Sequence, residues 1–191
     1  PKIGLIAYSE ITFAGQQTYE LAGMAIPGGD DTVQIPVPEP PSLVPFPVDP
    51  EERFPVQIGL TWSYVGPFED ERLVRTLEVT EAGEELAVVL EGFFGNRTIR
   101  SQKGRIEQFS SGSWRLLFDT NAQVDEFWTI DLESPDIDFL DGARVEVIER
   151  FGRLEVPYGA FGDVTHLRVT PPPGLADAGL TDVWIAPSVG I

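Results

Sequence analysis

From Phe54 onward the chain is cut at short intervals by glycine-bearing joints. These are Glu81-Ala82-Gly83-Glu84, Gly95-Asn96, Lys103-Gly104, Ser111-Gly112-Ser113, Asp141-Gly142 and Phe151-Gly152-Arg153. Such residues reverse a chain tightly because glycine enters positive φ without a steric cost and Asn, Asp and Ser bond to their own backbone. The runs between the joints alternate apolar and polar residues and are rich in β-branched and aromatic types, which predicts strands near 58–65, 72–80, 85–93, 97–101, 104–110, 113–119, 126–132, 143–156, 164–170 and 182–186. No stretch joins a 3.6-residue period to capping residues, so at most a short helix near 134–141 is expected. The expected fold is all-β: an antiparallel meander forming a sandwich or half-barrel.

The first 54 residues read differently. Residues 3–13, IGLIAYSEITF, alternate loosely and predict a strand that continues past Gly15 to about Met24, closed by a Gly28-Gly29-Asp30-Asp31 turn. Between Pro36 and Pro50 stand seven prolines in fifteen residues. They forbid helix and sheet interior and favour polyproline II, a spacer of about 45 Å at roughly 3.1 Å per residue. A loop held on the domain surface by Leu43, Val44 and Phe46 is the alternative. The expected organisation is an N-terminal strand arm at 1–35, a Pro-rich linker at 36–54 and a β domain at 55–191.

Thirteen Lys and Arg against thirty-one Asp and Glu give a net charge of −18. That charge repels nucleic acid and anionic headgroups, so neither nucleic acid nor membrane insertion is expected. With no Cys and only His166, disulfides, thiolate nucleophiles, Cys-ligated zinc and multi-histidine metal sites drop out. Lack of Cys suits an extracytoplasmic protein without disulfides and equally a reducing compartment.

Few residues suggest chemistry. Asp136, Asp138 and Asp141 form a tight acidic loop of the kind calcium uses, but without EF-hand spacing, and a solvated turn is the simpler reading. Glu81, Glu84 and Glu85 crowd one turn instead of facing each other across a cleft, which argues against a glycosidase pair. His166 sits in a strand with no nucleophile elbow near it and is expected at the surface or a sheet edge. Trp62, Tyr64, Trp114, Phe127, Trp128 and Trp184 offer faces for sugar rings, although strand tryptophans more often fill cores, which leaves carbohydrate a minor alternative. Asn96-Arg97-Thr98 is a glycosylation sequon at a turn, making Asn96 a candidate modification site. Residues 97–115 carry a local charge of +4 and residues 1–52 carry −7. Opposite signs on mating segments set subunit register; ordinary hairpin charge scatter is the alternative. No catalytic residue, metal or cofactor is expected, and the chain reads as a non-enzyme.

The termini share a pattern. Pro1-Lys2-Ile3-Gly4-Leu5 and Pro187-Ser188-Val189-Gly190-Ile191 both read Pro-x-(Ile/Val)-Gly-(Leu/Ile), at an offset of 186 residues. With a start at Pro1 and no initiating Met, the sequence reads as a trimmed chain and the two ends as one point in successive repeats. In addition, Gly59-Leu60-Thr61-Trp62-Ser63-Tyr64, Val156-Pro157-Tyr158-Gly159-Ala160-Phe161 and Trp184-Ile185-Ala186-Pro187-Ser188-Val189-Gly190 resemble the G-x-T-W-x-Y, V-P-x-G-x-F and W-x-A-P-x-V-G landmarks of bacterial secreted and lipoprotein β domains of unknown function. In such domains the closing motif runs into a further strand, and residues 1–12 read like that continuation. The resemblance implies a domain whose missing strand comes from the next unit, with Ile3, Leu5, Ile6, Tyr8, Ile11, Phe13, Trp184 and Val189 at the subunit interface.

Strand addition of this kind is head-to-tail and open-ended. The expectation is therefore a structural subunit of an extracellular or cell-surface filament or tandem-repeat protein, a homopolymer of itself. The alternative is a periplasmic or lipoprotein-type β half-barrel that binds an apolar ligand, marked by an apolar cavity of roughly 300 Å³ or more.

Overall fold

The computed structural model describes residues 3–12, 15–25, 61–66, 71–82, 85–134, 138–157, 159–174 and 179–187. The Pro-rich segment 36–54, the 28–31 turn, Phe13, Asp136 and Val189 lie outside the described residues. The described chain forms twelve strands: β1 (Ile3–Thr12), β2 (Gly15–Ala25), β3 (Thr61–Val65), β4 (Glu71–Ala82), β5 (Glu85–Glu91), β6 (Arg97–Gln102), β7 (Arg105–Ser110), β8 (Ser113–Asp119), β9 (Phe127–Thr129), β10 (Arg144–Val156), β11 (Gly159–Thr170) and β12 (Gly179–Pro187). The fold is all-β and antiparallel, as the alternating runs predict, and it is not closed into a barrel.

The order of hydrogen-bonded neighbours is β8-β7-β6-β5-β4-β3-β2-β1-β12-β11-β10-β9. Every ladder but one joins strands adjacent in sequence. The exception is β1 with β12, whose register runs from Ile3 opposite Pro187 to Ile11 opposite Gly179. On its other side β1 pairs with β2, from Ala7 opposite Glu20 to Thr12 opposite Gly15. Thus β1 joins a run of seven strands, β2 to β8, to a run of four, β9 to β12. Register breaks between Leu5 and Ala7 and between Ser9 and Glu10 mark bulges in the β1–β12 ladder. A bulge bends and twists a strand, so these two sit where the sheet turns from one run to the other.

Three expectations are corrected. The segment 3–24 is not one strand: the chain reverses between Thr12 and Gly15 into a hairpin, which satisfies backbone groups that a lone strand of that length leaves bare. Near 134–141, where at most a short helix is expected, the described residues Asp138 and Asp141 hold turns. The strand foreseen at 126–132 shortens to Phe127–Thr129, while the one foreseen at 164–170 starts at Gly159.

One apolar core lies between the two runs. Trp62 and Tyr64 of the first motif, Tyr19 and Leu21 of β2, Phe93, Phe118, and Val145, Val147, Leu167, Val183 and Ile185 of the four-strand run are all buried there. In β6, for example, Arg97, Ile99 and Ser101 face in and the residues between them face out, the period-two signature of a sheet with one covered face. Tyr8 of β1 anchors the centre, stacked on Tyr19 with ring centroids 5.1 Å apart and edge-on to Tyr64 at 5.7 Å and Phe94 at 5.3 Å. Burial, with the Tyr8 hydroxyl beside it, pushes the Tyr64 phenol well above its usual range and keeps it neutral.

Tyr8 therefore stabilises the isolated chain and does more than decorate an arm. Tyr8→Ala is expected to lower the unfolding free energy of the monomer by about 3 kcal/mol, measured by urea denaturation. A monomer unaffected by the substitution would contradict the seating of β1 in its own sheet.

Candidate functional site

Among the described strands the order leaves two free edges, β8 and β9, which are consecutive in sequence yet share no ladder. The sheet folds over far enough to bring these edges face to face, and side chains span the seam. The indole Nε1 of Trp128 donates to the carbonyl of Leu117 at 3.0 Å. Leu117 is the residue left over by a register break in the β7–β8 ladder, so the bulge turns out a carbonyl that an indole, in place of a strand, satisfies.

Beyond this contact the closure is ionic. Arg97, with its side chain only 4% exposed, donates Nη1 to Asp138 Oδ2 at 2.7 Å and Nη2 to Asp138 Oδ1 at 2.9 Å. Its Nε and Nη2 also bond the Phe94 carbonyl, at 3.0 and 2.7 Å. Arg115 of β8 pairs with Glu133, and Ser111 Oγ donates to the Glu133 carbonyl at 2.8 Å. The arginines of residues 97–115 thus find partners within the chain: Arg100 pairs with Glu107 at 2.7 Å and Arg105 with Asp119 at 2.8 Å.

The same geometry places the calcium candidates. Asp138 faces a guanidinium and accepts the Leu140 N–H at 2.9 Å, while Asp141 accepts the Leu132 and Ser134 N–H groups at 2.7 and 3.3 Å. Oxygens facing donors on every side are turn and latch acceptors, a different arrangement from a shell turned toward a cation. Among the described residues no group of three or more His, Asp or Glu is placed to hold a metal ion. Burial pushes the Asp138 carboxyl up, but the hydrogen bonds and charge of Arg97 and the Leu140 N–H outweigh it, leaving the group below the usual carboxylate range.

Between β8 and β9 lies an open groove of about 490 Å³ lined by Leu116, Asp119, Ala122, Asp125, Glu126, Phe127 and Trp128. Among the described residues the exposed large hydrophobics are Phe127 at 60% and Val124 at 45%, both on this stretch. The Arg144 guanidinium stacks over the Phe127 ring, 4.0 Å from its centroid. The linking segment is held from beneath: Thr120 N and Oγ1 both donate to the Gly104 carbonyl, and Arg150 Nη2 donates to the Thr120 and Ala122 carbonyls at 2.6 Å.

Other sequence candidates fall elsewhere. Ile3, Leu5, Ile6, Tyr8 and Ile11 all lie on β1, and Trp184 lies on β12 opposite Ala7, so these residues, assigned to a subunit interface, lie on two strands that pair within one chain. His166 is in β11, inside the sheet order and away from either edge; its ring stacks on Trp184 at 4.4 Å and its Nε2 lies 2.8 Å from Asp182 Oδ1. Trp62 is fully buried, and Trp114 packs on Phe109 and under Arg100. Asn96 is exposed, as a modification site requires. No family model, curated protein or solved structure matches the chain.

The latch yields a prediction. Asp138→Asn leaves a buried guanidinium without its counter-charge and is expected to cost about 3 kcal/mol of stability at pH 7. Because the folded-state pKa is depressed, the wild-type contribution is complete above the usual carboxylate range and disappears as pH falls below it, so the wild type and the variant should converge in acid. Thermal melts from pH 7 to pH 3 check both halves of the claim.

Proposed function

We propose that the chain is a self-contained β half-barrel that works by binding, without catalysis, and takes an apolar group of its ligand into the seam groove. The observation that carries this reading is the coincidence of three features at one place: no described strand closes the sheet there, a groove opens there, and the exposed large apolar side chains of the described residues gather there. Exposed Phe and Val forfeit burial energy in the free protein, about 1.5 to 3 kcal/mol for a side chain of this size, which a ligand recovers on binding. The resemblance to secreted and lipoprotein β domains supports an extracytoplasmic or cell-surface location.

A second reading keeps strand addition. Since β1 is held by ladders on both sides and joins the two runs, a neighbouring copy's β1 supplies the same bonds if the strand leaves its own sheet. Exchange repeated head to tail builds the extracellular filament foreseen from the sequence, with Ile3, Leu5, Ile6, Tyr8, Ile11 and Trp184 at the junction. The self-contained form is preferred because one chain already provides every partner in register.

The binding reading is tested with the neutral fluorophore Nile red. Saturable binding at one site per chain is expected, weakened about tenfold by Phe127→Ser while the melting curve is unchanged. Absence of saturable binding, or binding indifferent to residue 127, overturns it.

A further inference from the structure

The groove has a second property besides its apolar floor: it runs along a free strand edge. Glu126 accepts the Val147 N–H at 2.9 Å, and Ile130 exchanges bonds with Ala143 and Gly142 at 2.8 Å. In an antiparallel ladder the backbone groups point alternately to one neighbour and the other. Phe127 and Thr129 stand at the alternate positions, opposite Glu146 and Arg144, so their N–H and C=O groups point away from β10 to the edge where no described strand pairs. Only another polypeptide matches donors and acceptors spaced along such an edge.

The charges select among polypeptides. Asp119, Asp125 and Glu126 line the groove beside Leu116, Phe127 and Trp128, with no cationic side chain among the lining residues. Asp119 is already paired with Arg105, and Glu126 accepts the Gln123 N–H, whereas the Asp125 carboxylate has no partner among the described residues. The Arg144 guanidinium over Phe127 shows the side-chain chemistry this surface accepts: a cation against an aromatic face, next to carboxylates. A second copy of this chain is a poor occupant. Each copy carries −18, and the arginines of its basic stretch, Arg97, Arg100, Arg105 and Arg115, are engaged by its own carboxylates.

We propose that the seam groove receives an extended segment of a different protein, in which apolar residues alternate with lysine or arginine, added antiparallel or parallel to the free edge of β9. The apolar residues contact Leu116 and Phe127, which share the outward face, and the basic ones reach Asp125 and Glu126. The proposal rests on the reading of the groove as a binding site and names its occupant.

The test uses dansyl-labelled octapeptides in fluorescence anisotropy at fixed ionic strength: (Lys-Val)4, (Glu-Val)4 and (Lys-Ser)4. Saturable binding of (Lys-Val)4 is expected, with (Lys-Ser)4 about tenfold weaker and (Glu-Val)4 not bound. Both Asp125→Lys and Phe127→Ser should weaken (Lys-Val)4 about tenfold with unchanged melting curves, and N-methylation of alternate backbone nitrogens of the peptide should weaken it on the intact protein. Equal affinity for (Lys-Ser)4, or indifference to both substitutions, means attraction to the overall charge and overturns the proposal. Full competition by spermidine means a small-cation site and also overturns it. Nile red bound at the groove while (Lys-Val)4 is not bound sinks this inference alone; loss of both sinks the binding reading as well.

Discussion

The double ladder of β1 is the interaction on which the rest of the molecule depends. A run of seven strands and a run of four cannot bury a common core unless something fixes one against the other, and β1 does so through backbone bonds to β2 and to β12. The two bulges of its ladder with β12 let the sheet fold over there, and Tyr8 then fills the centre among Tyr19, Tyr64 and Phe94. Ladder and ring cooperate: a one-residue slip of β1 would turn Tyr8 away from the core and break both.

The opposite side of the sandwich is closed by different physics. There no ladder joins the described strands, and the edges are held by an indole on a bulge carbonyl, a buried Arg97–Asp138 pair and the Arg115–Glu133 contact. Backbone closure is insensitive to charge, whereas a side-chain latch responds to acid, most strongly at the buried pair, where the charges are least screened. The molecule is thus rigidly joined along one side and ionically fastened along the other. Among the described residues the strand edges and the exposed large apolar side chains lie on the fastened side, which is why the binding reading belongs there.

Much of this was legible in the sequence, and the reason is local. Turn residues and period-two alternation act over a few positions, so β8 falls at residues 113–119 as read, and β6, β7 and β10 fall within a residue of their expected bounds. The β1–β2 hairpin was not legible because Phe13-Ala14 carries no turn signal; pairing with β12, far away in sequence, favours the reversal. The seam was illegible for the same physical reason. Arg97 and Asp138 are 41 residues apart and meet only once the sheet has folded over. The excess positive charge of 97–115 was visible, while the partners its arginines find among the described residues, Glu107, Asp119, Glu133 and Asp138, follow only from the folded sheet. Likewise Phe127 was visible as an aromatic, while its outward position follows from the register of β9 on β10.

The central claim is that β1 closes the sheet of its own chain. With no native Cys, a single engineered pair gives an unambiguous readout, and Gly4 and Ala186 stand opposite each other in the β1–β12 ladder. The measurement is oxidation of the Gly4→Cys/Ala186→Cys variant over a wide range of protein concentration, followed by non-reducing electrophoresis. The account predicts a disulfide within the monomer at every concentration. A ladder of disulfide-linked multimers, formed in preference to the monomer even in dilute solution, would show that β1 belongs to a neighbour's sheet and contradict it.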